Sequence, residues 1–153
     1  MSNGPGHRTR RPLPAAHGDA PAPNRLTVAF TGGESYRVSS RGHEFTVDQP
    51  PDVGGNDLGP TPVDLFVASL AACIAFYAGR YLTRHGMPRD GLRVDAEFDM
   101  ATDRPARVAR VRVRLAVPPG LTEDQERALL AVVDHCTVHN SLRQPPDVHM
   151  ELA

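Results

Sequence analysis

The chain has 153 residues, of which 40% are apolar and 23% charged, a composition typical of one soluble globular domain with a core. Its formal net charge is −1, so no general attraction to nucleic acid or to an anionic membrane is expected. All 17 basic residues are arginine, which excludes chemistry that needs a lysine, such as Schiff-base formation. Two cysteines and no apolar leader are typical of the reducing cytoplasm, so we expect a cytoplasmic protein.

The first 23 residues differ in composition from the rest of the chain. They are rich in Pro, Gly and Ala and contain no aromatic residue, so they cannot bury enough surface to become ordered. We predict a disordered tail over residues 1–23 and a single domain over residues 24–153.

Three short alternating segments follow the tail. "RLTVAF", "SYRVSS" and "HEFTV" are separated by the turn signals Gly32-Gly33 and Arg41-Gly42. This pattern predicts an antiparallel meander. The loop "DQPPDVGGNDLGP" comes next, and its length suggests a functional loop over a site.

A long helix is predicted from Thr61 to about His85. Thr61 can act as N-cap, Pro62 suits the first helical position, and Asp64 completes a capping box. The middle of the helix is apolar on nearly every side, which indicates a central helix, often one shared between two chains. Its unbroken apolar run of 15 residues is shorter than the roughly 20 that span a bilayer, so no membrane insertion is expected.

The next two segments form a predicted hairpin with opposite charges on its outer face. "GLRVDAEFDM" alternates apolar residues with mainly acidic ones, and "ARVARVRVRLAV" alternates apolar residues with Arg110, Arg112 and Arg114. Cross-strand charge pairing explains the arginine stripe better than a nucleic-acid surface does. We therefore expect no nucleic-acid partner.

The last third of the chain predicts a second helix from Thr122, with Gln125 closing another capping box. Cys136 falls at the end of this helix, "TVHNSL" predicts a further short helical turn, and "DVHMEL" predicts a final strand. The predicted order is β-β-β-α-β-β-α-α-β, an α+β fold.

The two cysteines each occur next to a helix motif. Cys73 by itself, among Ala, Ile and Phe, is explained more simply as a small core residue. The pair changes that balance, because the chain has only these two cysteines and each is predicted to lie on its own long helix.

The segments around the cysteines carry a resemblance to the OsmC/Ohr family. "GPTPVDLFVASLAACIAFYAGRYLTRHG" resembles the central-helix motif of that family, and "HCTVHNSL" is similar to its second cysteine motif, with Thr137 where proline is usual. "TGGESYRVSSRG" and the "GGNDLGPTP" loop resemble the family's N-terminal hairpin and pre-helix loop, so the match covers about residues 24–152.

The resemblance implies both an architecture and an activity. The implied fold has antiparallel sheets wrapped around two long central helices in an intertwined homodimer. The implied activity is thiol-dependent reduction of organic hydroperoxides without a cofactor, with Cys73 as the peroxidatic thiol and Cys136 as the resolving thiol. A dithiol or a lipoylated protein would then reduce the enzyme.

The sequence departs from the family pattern at two assisting positions. Glu34 follows the Gly-Gly turn where the family's peroxidases have an arginine, and Val63 follows the helix-start proline where they have a glutamate. Sequence alone does not decide which cation replaces the arginine. The candidates are Arg37, Arg41 and His43 from the hairpin and Arg80 from the helix, and Arg37 is taken as the candidate catalytic arginine.

Apolar residues on the central helix form a candidate substrate pocket. They would favour organic over inorganic peroxides, and they are Leu65, Phe66, Phe76 and Tyr77.

Two other functions remain open. The first is a non-catalytic dimer of the same family that binds a small hydrophobic ligand or senses oxidation by forming a disulfide. The second is a metal site made by His135, Cys136 and His139, in which the two histidines have helical i, i+4 spacing. Two surface histidines near a helix break explain that pattern more simply, and we expect no metal.

Overall fold

The computed structural model describes residues 24–152, so the predicted tail lies outside the described residues. A three-stranded meander comes first, followed by a long helix, a hairpin and two shorter helices. In chain order the elements are β1 (Leu26–Gly32), β2 (Ser35–Ser40), β3 (His43–Val47), α1 (Pro62–Arg84), β4 (Arg93–Met100), β5 (Val108–Ala116), α2 (Glu123–Asp134) and α3 (Thr137–Arg143).

The described strands form two separate antiparallel sheets, one with the order β1-β2-β3 and one with the order β4-β5. Helix α1 lies against the β4-β5 hairpin and against α2. The predicted α+β class and antiparallel pairing are confirmed.

Helix α1 starts and ends where its local sequence predicts. The Thr61 hydroxyl accepts a hydrogen bond from the backbone N–H of Asp64 at 3.1 Å, and the Asp64 carboxylate accepts one from the N–H of Thr61 at 2.9 Å. At the other end His85 is the C-cap, and Gly86 adopts φ +71°, which favours glycine. Each end is set by residues within a few positions of it.

Charge pairing across β4 and β5 is also as predicted. The register sets Asp95 opposite Arg114 and Glu97 opposite Arg112. The Arg112 guanidinium lies 3.6 Å from the Glu97 carboxylate, and that of Arg114 lies 3.3 Å from it. The opposite face of the hairpin packs on the core.

The core lies where α1 meets α2 and the start of α3. Its most deeply buried members are Ala78, Leu82 and Cys136, each with no exposed surface. One of the two cysteines is therefore at the centre of the fold.

The loop between β3 and α1 is organised by the buried carboxylate of Asp48. This side chain accepts hydrogen bonds from the backbone N–H groups of Gln49, Asn56 and Leu58 at 2.8, 3.0 and 3.1 Å. Burial by itself raises the pKa of Asp48, but the three N–H donors outweigh it and hold the pKa below its ordinary value. The loop is thus a fixed structure.

Helix α1 is longer than its apolar run suggests. It has 23 residues and a mean hydropathy of 1.7 over 18 of them, enough by length and composition to cross a membrane. The short apolar run therefore does not by itself exclude a membrane span. Core helices of soluble proteins pass the same test, and 28% of that window is buried within one chain.

The predicted final strand is wrong for the single chain. Residues 147–152 form no strand, and Val148, Met150 and Leu152 are 75, 92 and 103% exposed. A strand needs a neighbour for its backbone N–H and C=O groups, and the described part of this chain offers this segment none.

Candidate functional site

The fold brings the two cysteines together. Cys73 lies on α1, is partly buried, and packs against the core cluster that contains Cys136. Cys136 is fully buried at the break between α2 and α3, where it is the N-cap residue of α3. Both are free thiols, and only Cys73 has exposed surface through which a solute could reach sulfur.

The pKa of Cys136 is raised. Burial is the largest cause, because the thiolate loses hydration. The backbone N–H of His139 opposes the shift, whereas the nearby Cys73 thiol raises the pKa further. The net shift is upward, so Cys136 stays a protonated thiol at neutral pH.

A hydrogen bond joins α1 to α3 directly beside the thiol pair. The Tyr77 hydroxyl and the Thr137 hydroxyl lie 2.9 Å apart. Tyr77 is one helical turn after Cys73, and Thr137 follows Cys136. Sequence reasoning missed this contact, although the threonine at a position where proline is usual was a signal that its hydroxyl has a partner.

The α2–α3 break that carries Cys136 is closed by an ion pair. Both carboxylate oxygens of Asp134 accept from the Arg143 guanidinium at 2.9 Å, and Nδ1 of His139 lies 3.5 Å from Asp134. The hydrogen bond from Arg143 is the main cause that lowers the pKa of Asp134 below its ordinary value. The pair fixes α3 against the end of α2.

Arg37 is not brought to Cys73 within one chain. It is exposed on β2, between Tyr36 and Val38, which line a groove against α1. Because side chains alternate along a strand, Arg37 lies on the outer face of the sheet. The alternation of Tyr36 and Val38 around it was the sequence signal for this placement.

Arg80 is the candidate cation on the central helix. It is exposed, and its guanidinium carbon lies 5.6 Å from the centre of the Phe76 ring, a cation–π contact. At seven residues it is about 10 Å from Cys73 along the helix axis, on the same face.

The four predicted pocket residues are divided among different surfaces of the single chain. Leu65 faces the first sheet, Phe66 lies near Val108, and Tyr77 faces α2. Phe76 is 57% exposed and contacts the Tyr77 ring edge-on, with centroids 5.8 Å apart. One chain therefore does not gather them into one cavity.

An apolar groove lies between the first sheet and the N-terminal half of α1. It has a volume of about 780 Å³, and its lining comes from the inner face of the sheet and one side of the helix. Those residues are Leu26, Val28, Tyr36, Val38, Phe45, Val47, Pro62, Leu65, Ala68, Ser69 and Ala72.

The alternative metal site is not assembled. Within residues 24–152, no group of three or more His, Cys, Asp or Glu side chains converges in a way that could hold an ion. His135 Nδ1 donates to the Ala131 carbonyl at 2.9 Å, and His139 lies beside Asp134 instead.

The chain has an α+β fold in which both cysteines pack in one core cluster. The family model described as OsmC-like protein matches residues 54–151, and the chain belongs to this family. No match was found among curated proteins.

Solved structures share the fold at low sequence identity. A protein of Psychrobacter arcticus matches with a TM-score of 0.69 and 23% identity, covering 76% of this chain and 85% of its own. An OsmC-like protein of Mycoplasma pneumoniae matches with a TM-score of 0.65 and 17% identity, covering 79% and 87%. The organic hydroperoxide resistance protein OhrB of Bacillus subtilis matches with a TM-score of 0.56 and 19% identity, covering 84% and 96%.

Proposed function

We propose that this protein is a thiol-dependent peroxidase that reduces organic hydroperoxides, with Cys73 as the attacking thiol and Cys136 as the resolving thiol. The observation that carries the proposal is that both thiols, which come from distant parts of the chain, pack in one core cluster. Their unequal exposure supports the order of reaction, because peroxide reaches Cys73 first and Cys136 is buried behind it.

The proposed reaction has three balanced steps. The Cys73 thiolate attacks the terminal peroxide oxygen, the O–O bond breaks, and the alkoxide takes a proton to leave as an alcohol. Cys136 then attacks the Cys73 sulfenic acid, so that an S–S bond forms and water leaves. An external dithiol, free or on a lipoylated protein, reduces this disulfide by exchange and is itself oxidised.

The setting of the reaction is part of the proposal. The structural similarity to the organic hydroperoxide resistance protein OhrB of Bacillus subtilis supports a contribution to hydroperoxide resistance. A cytoplasmic location suits the chemistry, because cellular reductants there keep both thiols reduced. The active form is proposed to be a homodimer.

Thiol counting after a single oxidant pulse tests the function. Fully reduced protein is mixed with one equivalent of cumene hydroperoxide, and free thiols are followed with time. Both thiols should disappear together in the parent, one should disappear in Cys136→Ser, and none should in Cys73→Ser. Loss of Cys136 at the parental rate in Cys73→Ser would contradict the assignment.

The apolar groove of about 780 Å³ favours a second candidate, a non-catalytic dimer that binds a hydrophobic ligand or senses oxidation. Repeated turnover separates the two. With excess dihydrolipoamide, a peroxidase consumes many equivalents of cumene hydroperoxide per protein, whereas a sensor or binding protein consumes at most one. Cys73→Ser serves as the inactive control in both measurements.

A further inference from the structure

A second groove lies between the C-terminal half of α1 and the end of α2. It has a volume of about 720 Å³ and begins at Tyr77, one helical turn after Cys73. Four of its lining residues are Arg80, Arg84, His85 and His135, and the walls between them are aromatic and aliphatic. The aromatic and aliphatic residues are Tyr77, Tyr81, Ala131 and Val132.

The two arginines have no charge partner within the described part of the chain. No carboxylate lines the groove, and neither Arg80 nor Arg84 forms an ion pair. Like charges at i, i+4 destabilise a helix. The helix dipole favours Arg84 in the last turn and the Phe76 ring contacts Arg80, but neither supplies a carboxylate partner for the pair.

Both histidines are oriented in the same way. Nδ1 of His85 lies 2.9 Å from the Tyr81 carbonyl, and Nδ1 of His135 lies 2.9 Å from the Ala131 carbonyl. A carbonyl only accepts, so Nδ1 carries the proton in each ring and Nε2 is left for another partner. Protonation turns each Nε2 into a donor and adds a positive charge.

We propose that this groove binds the carboxylate of an amphipathic organic acid. Arg80 and Arg84 donate charge-assisted hydrogen bonds to the carboxylate, and the aromatic and aliphatic walls cover the first part of its chain. Arg80 lies on the same helical face as Cys73, about 10 Å away along the axis, so the rest of the chain extends toward the thiol. The binding site is inferred from its charges and geometry. Its use in positioning a hydroperoxide that carries a carboxylate rests on the function proposed above.

Binding of decanoate, compared with decan-1-ol, tests the proposal by calorimetry on the full chain. Decanoate should bind, and Arg80→Gln and Arg84→Gln should each weaken it roughly tenfold. The control Arg114→Gln removes the same charge from the outer face of β5 and should leave affinity unchanged. Equal binding of acid and alcohol, or equal effects of all three substitutions, would overturn the proposal.

Two measurements, decanoate binding and turnover of cumene hydroperoxide, distinguish this inference from the proposed function. Decanoate binding in a protein that consumes no cumene hydroperoxide would leave the site in place and remove the peroxidase. Turnover of cumene hydroperoxide without any decanoate binding would remove the site and leave the peroxidase.

Discussion

At the scale of single residues, the deciding feature is the environment of each thiol. Cys136 is fully buried and Cys73 is partly exposed, although both occur in apolar, helix-forming sequence. The proposed order of reaction at the two sulfurs rests on this difference.

The pKa of Cys136 offers a test of how closely the thiols interact. Removing the Cys73 sulfur in Cys73→Ala should lower the Cys136 pKa only partway toward its ordinary value. Burial, the largest cause of the rise, remains in the variant. Titration of the Cys136 ¹³Cβ chemical shift measures this directly, and an unchanged midpoint would mean that the two sulfurs do not interact.

At the scale of elements, the ends of helices decide where the site residues lie. Capping boxes start α1 at Thr61 and α2 at Thr122, and each start is visible in the sequence. The break between α2 and α3 is different, because it depends on the ion pair between Asp134 and Arg143. That pair joins residues on two elements.

Arg143→Gln should destabilise the fold at pH 7. Asp134 has a lowered pKa in the folded state, so its contribution is present above the unfolded pKa and is lost as pH falls through the folded value. The stability difference between parent and variant should therefore shrink below about pH 4. Urea unfolding at pH 7 and pH 3 measures both differences.

Arg127→Gln is the matched control for this test. Arg127 is exposed on α2, and within residues 24–152 its ion-pair partners are Glu123 and Asp124 on the same helix. Exposed pairs contribute little, so its effect should be smaller at pH 7. A loss of unfolding free energy as large as that of Arg143→Gln would show that the α2–α3 ion pair stabilises the fold no more than an exposed pair does.

At the scale of the whole molecule, much apolar surface remains uncovered in one chain. Only 28% of the apolar window of α1 is buried, and the C-terminal segment exposes Val148, Met150 and Leu152. A second copy that covers these surfaces would also give the unpaired C-terminal segment a sheet edge.

Met150→Glu should weaken the dimer at least about tenfold, because a buried methionine contributes roughly 1.5–3 kcal/mol. Met150 is 92% exposed in the single chain, so the substitution should not harm the fold of one subunit. Light scattering across a dilution series measures the dissociation. His149→Glu, on the other side of the extended segment, is the control. A parent that is monomeric at micromolar concentration would contradict the dimer.

The sequence by itself determined both ends of α1, the start of α2, the three-stranded meander and the charge register of the β4–β5 hairpin. Capping, turns and cross-strand alternation act between residues that are close in the chain or joined by one short turn, so their pattern can be read directly. Both cysteine motifs were visible for the same reason.

Only the tertiary structure decided that Cys73 and Cys136 pack in one core cluster and that Tyr77 meets Thr137. Both arrangements join α1 to the start of α3, and they form because the apolar faces of distant segments bury one another. The final strand predicted over residues 147–152 was wrong for a related reason. Alternation shows that a segment can be a strand, but pairing with a neighbour decides whether it is one.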